Sequence, residues 1–115
     1  MSPLSKSHIM SYRFMRMIVM FDLPTETLAD RREYARFRKY LVTNGFMMLQ
    51  ESIYSKLLLN ATVQAAVMSG IRKNKPQDGI VQVLTITEKQ FSKMEYLIGE
   101  YDGDVVASDK RLLEF

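Results

Sequence analysis

Residues 14–23, FMRMIVMFDL, are apolar on both faces that a β-strand would present, and Pro24 ends the run. Alternation puts Met15, Met17, Val19 and Phe21 on one face and Phe14, Arg16, Ile18, Met20 and Asp22 on the other. A strand with two such faces belongs in the middle of a sheet, covered on both sides. Pro24 has no N–H to offer a ladder, so it closes the strand. The chain must therefore build a sheet around this segment and cover it from only 115 residues. At that length one domain with one modest core is expected, and burial is readily completed by pairing with a second copy.

The flanking sequence supplies the remaining elements. Thr25 is placed to cap a helix over residues 26–43, with Glu26 and Asp30 near its positive end. Asn44-Gly45 stops that helix. Tyr34, Phe37 and Leu41 form its apolar stripe, and Arg32, Arg36 and Lys39 lie away from it. Residues 46–59 are too long for one ordinary strand and split near Gln50-Glu51 into a hairpin. Asn60 caps a second helix whose inner face carries Val63, Ala66, Val67, Gly70 and Ile71. That helix fades in the polar run at 72–79, where Pro76 and Gly79 mark a turn. Residues 80–87, IVQVLTIT, are rich in β-branched side chains and predict a strand. Residues 94–98 predict a further strand, with short edge or tail pieces at Val105-Val106 and 112–115. The order β-α-β-β-α-β, with an additional C-terminal strand, predicts an α+β, ferredoxin-like domain over residues 10–115. Residues 1–9 are set apart as a leader, vector-derived or left by an upstream start.

Several chemistries are excluded. There are no cysteines, so no disulfide, thiol nucleophile or cysteine-bound zinc is available. That composition fits a reducing cytoplasm, the expected location. His8 is the only histidine and falls in the leader, so no histidine-based catalysis is expected. No apolar run approaches the roughly 20 residues that span a membrane. Net charge is only +3, so the distribution of charge decides. Residues 31–39 hold five basic side chains against Glu33, whereas after Lys93 the acids dominate.

Three features remain as candidate sites. Asp22 stands at the carboxyl end of the first strand, where open α/β sheets place functional groups. It either accepts hydrogen bonds from its own turn or holds a divalent cation. Magnesium takes one or two carboxylates plus waters, and a two-fold axis would supply a second Asp22. Arg31, Arg32, Arg36, Arg38 and Lys39 form either a solvated helix face or a phosphate-binding one. Ser52 and Tyr54 alternate onto one strand face, where they line a polar cleft or edge the core. The nine methionines read as adaptable core filler.

FDLP at 21–24, the arginine-rich RREYARFRKYL, NGF and QESIY, in that order, resemble the small CRISPR-associated Cas2 family. NGFMMLQESIYSKLLLN, NKPQDGIVQVLTITEKQF and MEYLIGEY are similar to its type II-A branch. The resemblance implies a ferredoxin-like homodimer whose C-terminal strands complete the neighbour's sheet. It implies a role in spacer acquisition, with the dimer bridging dimers of the CRISPR integrase and binding protospacer duplex DNA. It also implies endonuclease activity on DNA or RNA, dependent on Mg²⁺ or Mn²⁺. Asp22 takes the place of the family's catalytic and metal-binding aspartate, and Phe21 the aromatic before it. Arg31 and Arg32 match early-helix basic positions, and Ser52 and Tyr54 match the hairpin's serine and aromatic. Arg16, Arg36, Arg38 and Lys39 complete the expected nucleic-acid surface. Many relatives carry an arginine before the hairpin glutamine, where this chain has Met47, Met48 and Leu49. The alternative function is a stand-alone metal-dependent endoribonuclease of the toxin-like branch.

Overall fold

The doubly apolar run folds as β1 (Met15–Asp22). The chain continues through α1 (Leu28–Thr43), a hairpin of β2 (Met47–Gln50) and β3 (Ile53–Leu58), α2 (Ala61–Asn74), β4 (Ile80–Thr87) and a short α3 (Glu88–Ser92). The computed structural model describes residues 14–100. The leader at 1–9, with His8, and the strand pieces expected at 105–106 and 112–115 lie outside them. The sheet has four strands in the order β2-β3-β1-β4, each pair antiparallel. This is the expected ferredoxin-like, α+β arrangement with β1 inside the sheet.

Capping chemistry sets the helix ends. Thr27, not Thr25, caps α1: its hydroxyl accepts from the Asp30 N–H at 3.0 Å, and the Asp30 carboxylate accepts from the Thr27 N–H at 3.1 Å. Thr25 has Leu28 three residues on and cannot form that reciprocal pair, so the helix begins later than expected. Asn60 caps α2 as expected, its side chain accepting from the Val63 N–H at 2.8 Å. The same reciprocal motif, Thr87 with Gln90, starts α3 directly after β4. At five residues, α3 is too short to show a periodic stripe, and the sequence pattern does not predict it. The strand expected at 94–98 does not form, and that stretch is irregular.

The core lies on one side of the sheet. Met17, Val19 and Phe21 of β1, Tyr54 and Leu58 of β3, Phe37 and Leu41 of α1 and Ile71 of α2 form one buried cluster. Register places Val19 opposite Tyr54 and Val83, so these side chains share the helix-covered face. Gly70 lets the helices approach, since a Cβ there would meet the Tyr40 hydroxyl. On the other face, Ile18 lies opposite Ser55 and Leu84, and Asp22 lies opposite Ile80. Leu84, Ile80 and Met47 are about half exposed there. The expectation that β1 is covered on both faces is therefore corrected within one chain. Both long helices pack on the Phe21 face, and among the described residues only α3 covers part of the other. Arg16 holds α3 there: Nε and Nη2 donate to the Glu88 carboxylate at 2.9 and 2.5 Å, and the guanidinium lies 4.5 Å over the Phe91 ring.

Candidate functional site

At the carboxyl end of β1 the alternation sends Phe21 into the core and Asp22 out onto the open sheet face. Phe21 is the hub of an aromatic cluster. Its ring lies 5.3 Å from Phe37 and 5.6 Å from Tyr34, both edge-on, and 5.8 Å from Tyr54 in a stacked geometry. These contacts fix the strand end that carries Asp22. The turn before β4 approaches just as closely. Gly79 has φ +94°, and a Cβ there would lie 2.6 Å from the Asp22 carbonyl oxygen. Only glycine fits both the left-handed backbone and the space.

Asp22 lines a cavity of about 510 Å³ together with Leu23, Thr25, Arg31, Tyr34, Glu51 and Ser52. Arg31 Nη1 donates to the carbonyls of Thr25 and Glu26 at 3.1 and 3.0 Å. The guanidinium is thereby anchored at the cleft wall, with donors left for an anion. The Tyr34 hydroxyl lies 3.1 Å from Ser52 Oγ and 3.3 Å from the Glu51 carbonyl that it donates to. The Phe21 N–H donates to the Ser52 carbonyl at 3.0 Å, which holds the hairpin turn against the end of β1.

The structure divides the other expected residues. Ser52 joins Asp22 and Arg31 in the cleft, whereas Tyr54 is fully buried, its hydroxyl accepting from Arg38 Nε at 2.9 Å. Tyr54 is thus core, and Arg38 is its polar partner. Arg36 donates to Glu33 through Nε and Nη2 at 3.0 and 2.6 Å, and to the Asn74 carbonyl at 2.9 Å. The hydrogen bond from Arg36 holds the Glu33 carboxyl below the usual carboxylate range, and Glu33 in turn raises Arg36. A depressed carboxylate contributes above its unfolded titration range, and the contribution is lost as pH falls through the folded value. Both side chains are well exposed, so this contribution is small. Arg32 and Lys39 are exposed with no hydrogen bond or ion pair among the described residues. Arg16 is tied to Glu88 and stands on the open sheet face, away from the α1 cations.

Tyr34 and Glu51 also line the cleft, where the sequence pattern does not place them. Tyr34 read as part of the apolar stripe, and its hydroxyl was the one available signal. Glu51 read as the midpoint of a hairpin. No group of three or more His, Cys, Asp or Glu able to hold a metal occurs among the described residues. The donors present are oxygens, which suit a hard cation that keeps most of its waters. Asp22 is the residue that would hold such an ion.

A ferredoxin-like domain with an exposed aspartate at the end of β1 and arginines on its first helix defines a small α+β protein with a mixed acidic and basic cleft. Residues 15–94 match the family model described as CRISPR associated protein Cas2, and the chain belongs to that family. It is 52% identical over 99 residues to a protein of Treponema denticola named CRISPR-associated endoribonuclease Cas2, covering 86% of this chain and 98% of that one. A protein of the same name from Streptococcus mutans serotype c is 50% identical over 99 residues, covering 86% and 91%. A solved structure described as a crystal structure of cas2 superposes with a TM-score of 0.55 at 18% identity, over 80% of this chain and 94% of that one. At that identity the likeness concerns the fold. No helix among the described residues is long and apolar enough to cross a membrane.

Proposed function

We propose that this chain serves CRISPR spacer acquisition as a homodimer that bridges integrase dimers and binds the protospacer duplex, and that it retains metal-dependent phosphodiester cleavage at Asp22. The observation that carries the reading is the position of Asp22. It lies at the end of an open sheet face on which Ile80 and Leu84 are half exposed and Met20 is partly exposed. Such a face needs a partner, and a second copy offers the same surface across a two-fold axis. Packing open face to open face brings the two Asp22 carboxylates toward the axis. Like charges there resist joint ionisation unless a cation lies between them.

When bound, Mg²⁺ or Mn²⁺ supplies charge that polarises the scissile phosphate and acidifies bound water. The chain's own residues do the positioning. Asp22 would hold the cation, Arg31 would present guanidinium donors to a phosphate oxygen, and Ser52 would add a hydroxyl from the same cleft. Arg32 and Lys39 track the backbone further along α1. A stand-alone metal-dependent endoribonuclease is the second reading, favoured by the endoribonuclease name of the relatives. Co-purification with the integrase of its own operon separates the two, since only the first reading requires that complex.

The absence of cysteine makes the decisive test direct. Asp22→Cys gives a chain with one thiol, and a short bismaleimide is expected to join two copies into a covalent dimer on a denaturing gel. Modification that yields only monomer overturns the shared-aspartate geometry. For nucleic-acid binding, Arg32→Ala with Lys39→Ala is expected to reduce the salt slope of duplex affinity by up to about 3.6 units, roughly 0.9 for each of the four phosphates that the two copies no longer neutralise. Titration of anisotropy against salt reads this, and an unchanged slope moves the binding surface off α1. Sequence preference should be slight, because phosphate contacts carry no base information.

A further inference from the structure

The hairpin turn is held more firmly than an exposed turn requires. Its register shifts between Met48 and Gln50, a β-bulge that turns the end of β2 before Glu51. The turn is then tied at two successive residues. The Tyr34 hydroxyl donates to the Glu51 carbonyl at 3.3 Å and lies 3.1 Å from Ser52 Oγ, while the Phe21 N–H donates to the Ser52 carbonyl at 3.0 Å. These tethers come from α1 and β1, the elements that carry Arg31 and Asp22. They hold the backbone of Glu51 but leave its side chain without a hydrogen bond or ion pair among the described residues. Glu51 lines the same cavity as Asp22 and Arg31.

We propose that Glu51 is the general base of phosphodiester cleavage in this cleft, and that Tyr34 is its positioning residue. The proposal rests on the cleavage reading above and supplies what a lone aspartate lacks. If Asp22 is committed to a cation, it is not free to accept a proton. Glu51, brought from a different element into the same space, is. The Glu51 carboxylate takes a proton from water as the water oxygen bonds to phosphorus. The bond from phosphorus to the leaving oxygen breaks, and that oxygen takes up a proton from solvent. One fragment then ends in a phosphate monoester and the other in a hydroxyl, and Glu51 returns its proton to solvent. The Tyr34 hydroxyl acts through the backbone at Glu51 and through Ser52, fixing the backbone from which the carboxylate projects.

The test compares Glu51→Gln, Glu51→Ala, Tyr34→Phe and Asp22→Asn with the unaltered chain. Cleavage of labelled single-stranded RNA and duplex DNA is measured with Mg²⁺, and binding of the same oligonucleotides is measured without metal. Glu51→Gln is expected to lower kcat by about 10²–10⁴-fold, the usual yield of general-base catalysis, with KM and metal-free binding unchanged. Added formate is expected to restore part of the rate to Glu51→Ala but none to Asp22→Asn. Tyr34→Phe keeps the ring and removes the tether, so kcat falls while KM holds. Glu51→Gln that cleaves normally, beside an inactive Asp22→Asn, overturns this proposal and leaves the cleavage reading standing. Loss of rate in Glu51→Ala without formate rescue overturns the proton-transfer role. Normal cleavage by Asp22→Asn, or none by the unaltered chain, overturns the cleavage reading and this proposal with it.

Discussion

Phe37→Ala is expected to lower the free energy of unfolding by about 3–5 kcal/mol, the range for deleting a buried ring. Phe37 is 0% exposed and meets Phe21 edge-on at 5.3 Å, where α1 crosses the sheet. Removing it leaves a cavity beneath β1 and also deletes an aromatic pair worth roughly 0.5–1.5 kcal/mol beyond its area. Small domains have only about 5–15 kcal/mol in total, so a large share of the fold's stability is at stake. With a urea slope of about 1–3 kcal/mol per molar, the midpoint should fall by roughly 1–5 M. The effect should also reach the cleft, because Phe21 immediately precedes Asp22 and leans on Phe37. A loss under about 1 kcal/mol would show that α1 does not pack on the sheet through this ring.

The packing that makes Phe37 costly to lose was legible because it is periodic. Tyr34, Phe37 and Leu41 recur at helical spacing, and Met17, Val19 and Phe21 alternate. Either pattern fixes which side chains point inward before the partner surface is known. Asn60 and the β4 bounds were legible for similarly local reasons, a capping side chain and a β-branched run. The failures share a different cause. In residues 94–98 an apolar run suggested a strand, but the Thr87–Gln90 capping box turns the chain into α3 first, and no strand follows among the described residues. Thr25 and Thr27 look alike until the acid three residues on is weighed. Tyr54 and Ser52 alternate as expected, yet the first faces the core and the second lies in the turn. Glu51 could not be placed in the cleft from sequence, since its position depends on a bulge and on two tethers from distant elements. Arg16 and Arg38 are expected on the nucleic-acid surface, and each also has a long-range partner, Glu88 with Phe91 for one and Tyr54 for the other, that no local pattern reveals.

The expected consequence of Leu84→Arg is loss of the proposed dimer, and with it loss of cleavage. Leu84 lies opposite Ile18 in the β4–β1 register and is half exposed in the single chain. Met20 and Ile80 share its face, so two copies packed there would bury it near the centre. An arginine at that position must be desolvated against the apolar side chains of that face, at a cost of several kcal/mol per ion. Each 1.4 kcal/mol is tenfold in affinity, so the dissociation constant should rise by at least about 100-fold. Sedimentation of the unaltered chain should give twice the 13.4 kDa of one copy, and the variant should run at 13.4 kDa. The monomer should keep its helical circular dichroism, because Leu84 lies outside the buried cluster. Asp22→Ala supplies the counterpart: it should stay dimeric and lose cleavage, since it removes the charge and leaves the apolar face intact. Dimer loss and activity loss are thus separated by two single substitutions on one sheet face. A Leu84→Arg chain that remains dimeric would place the interface elsewhere and remove the reason for two Asp22 side chains to meet.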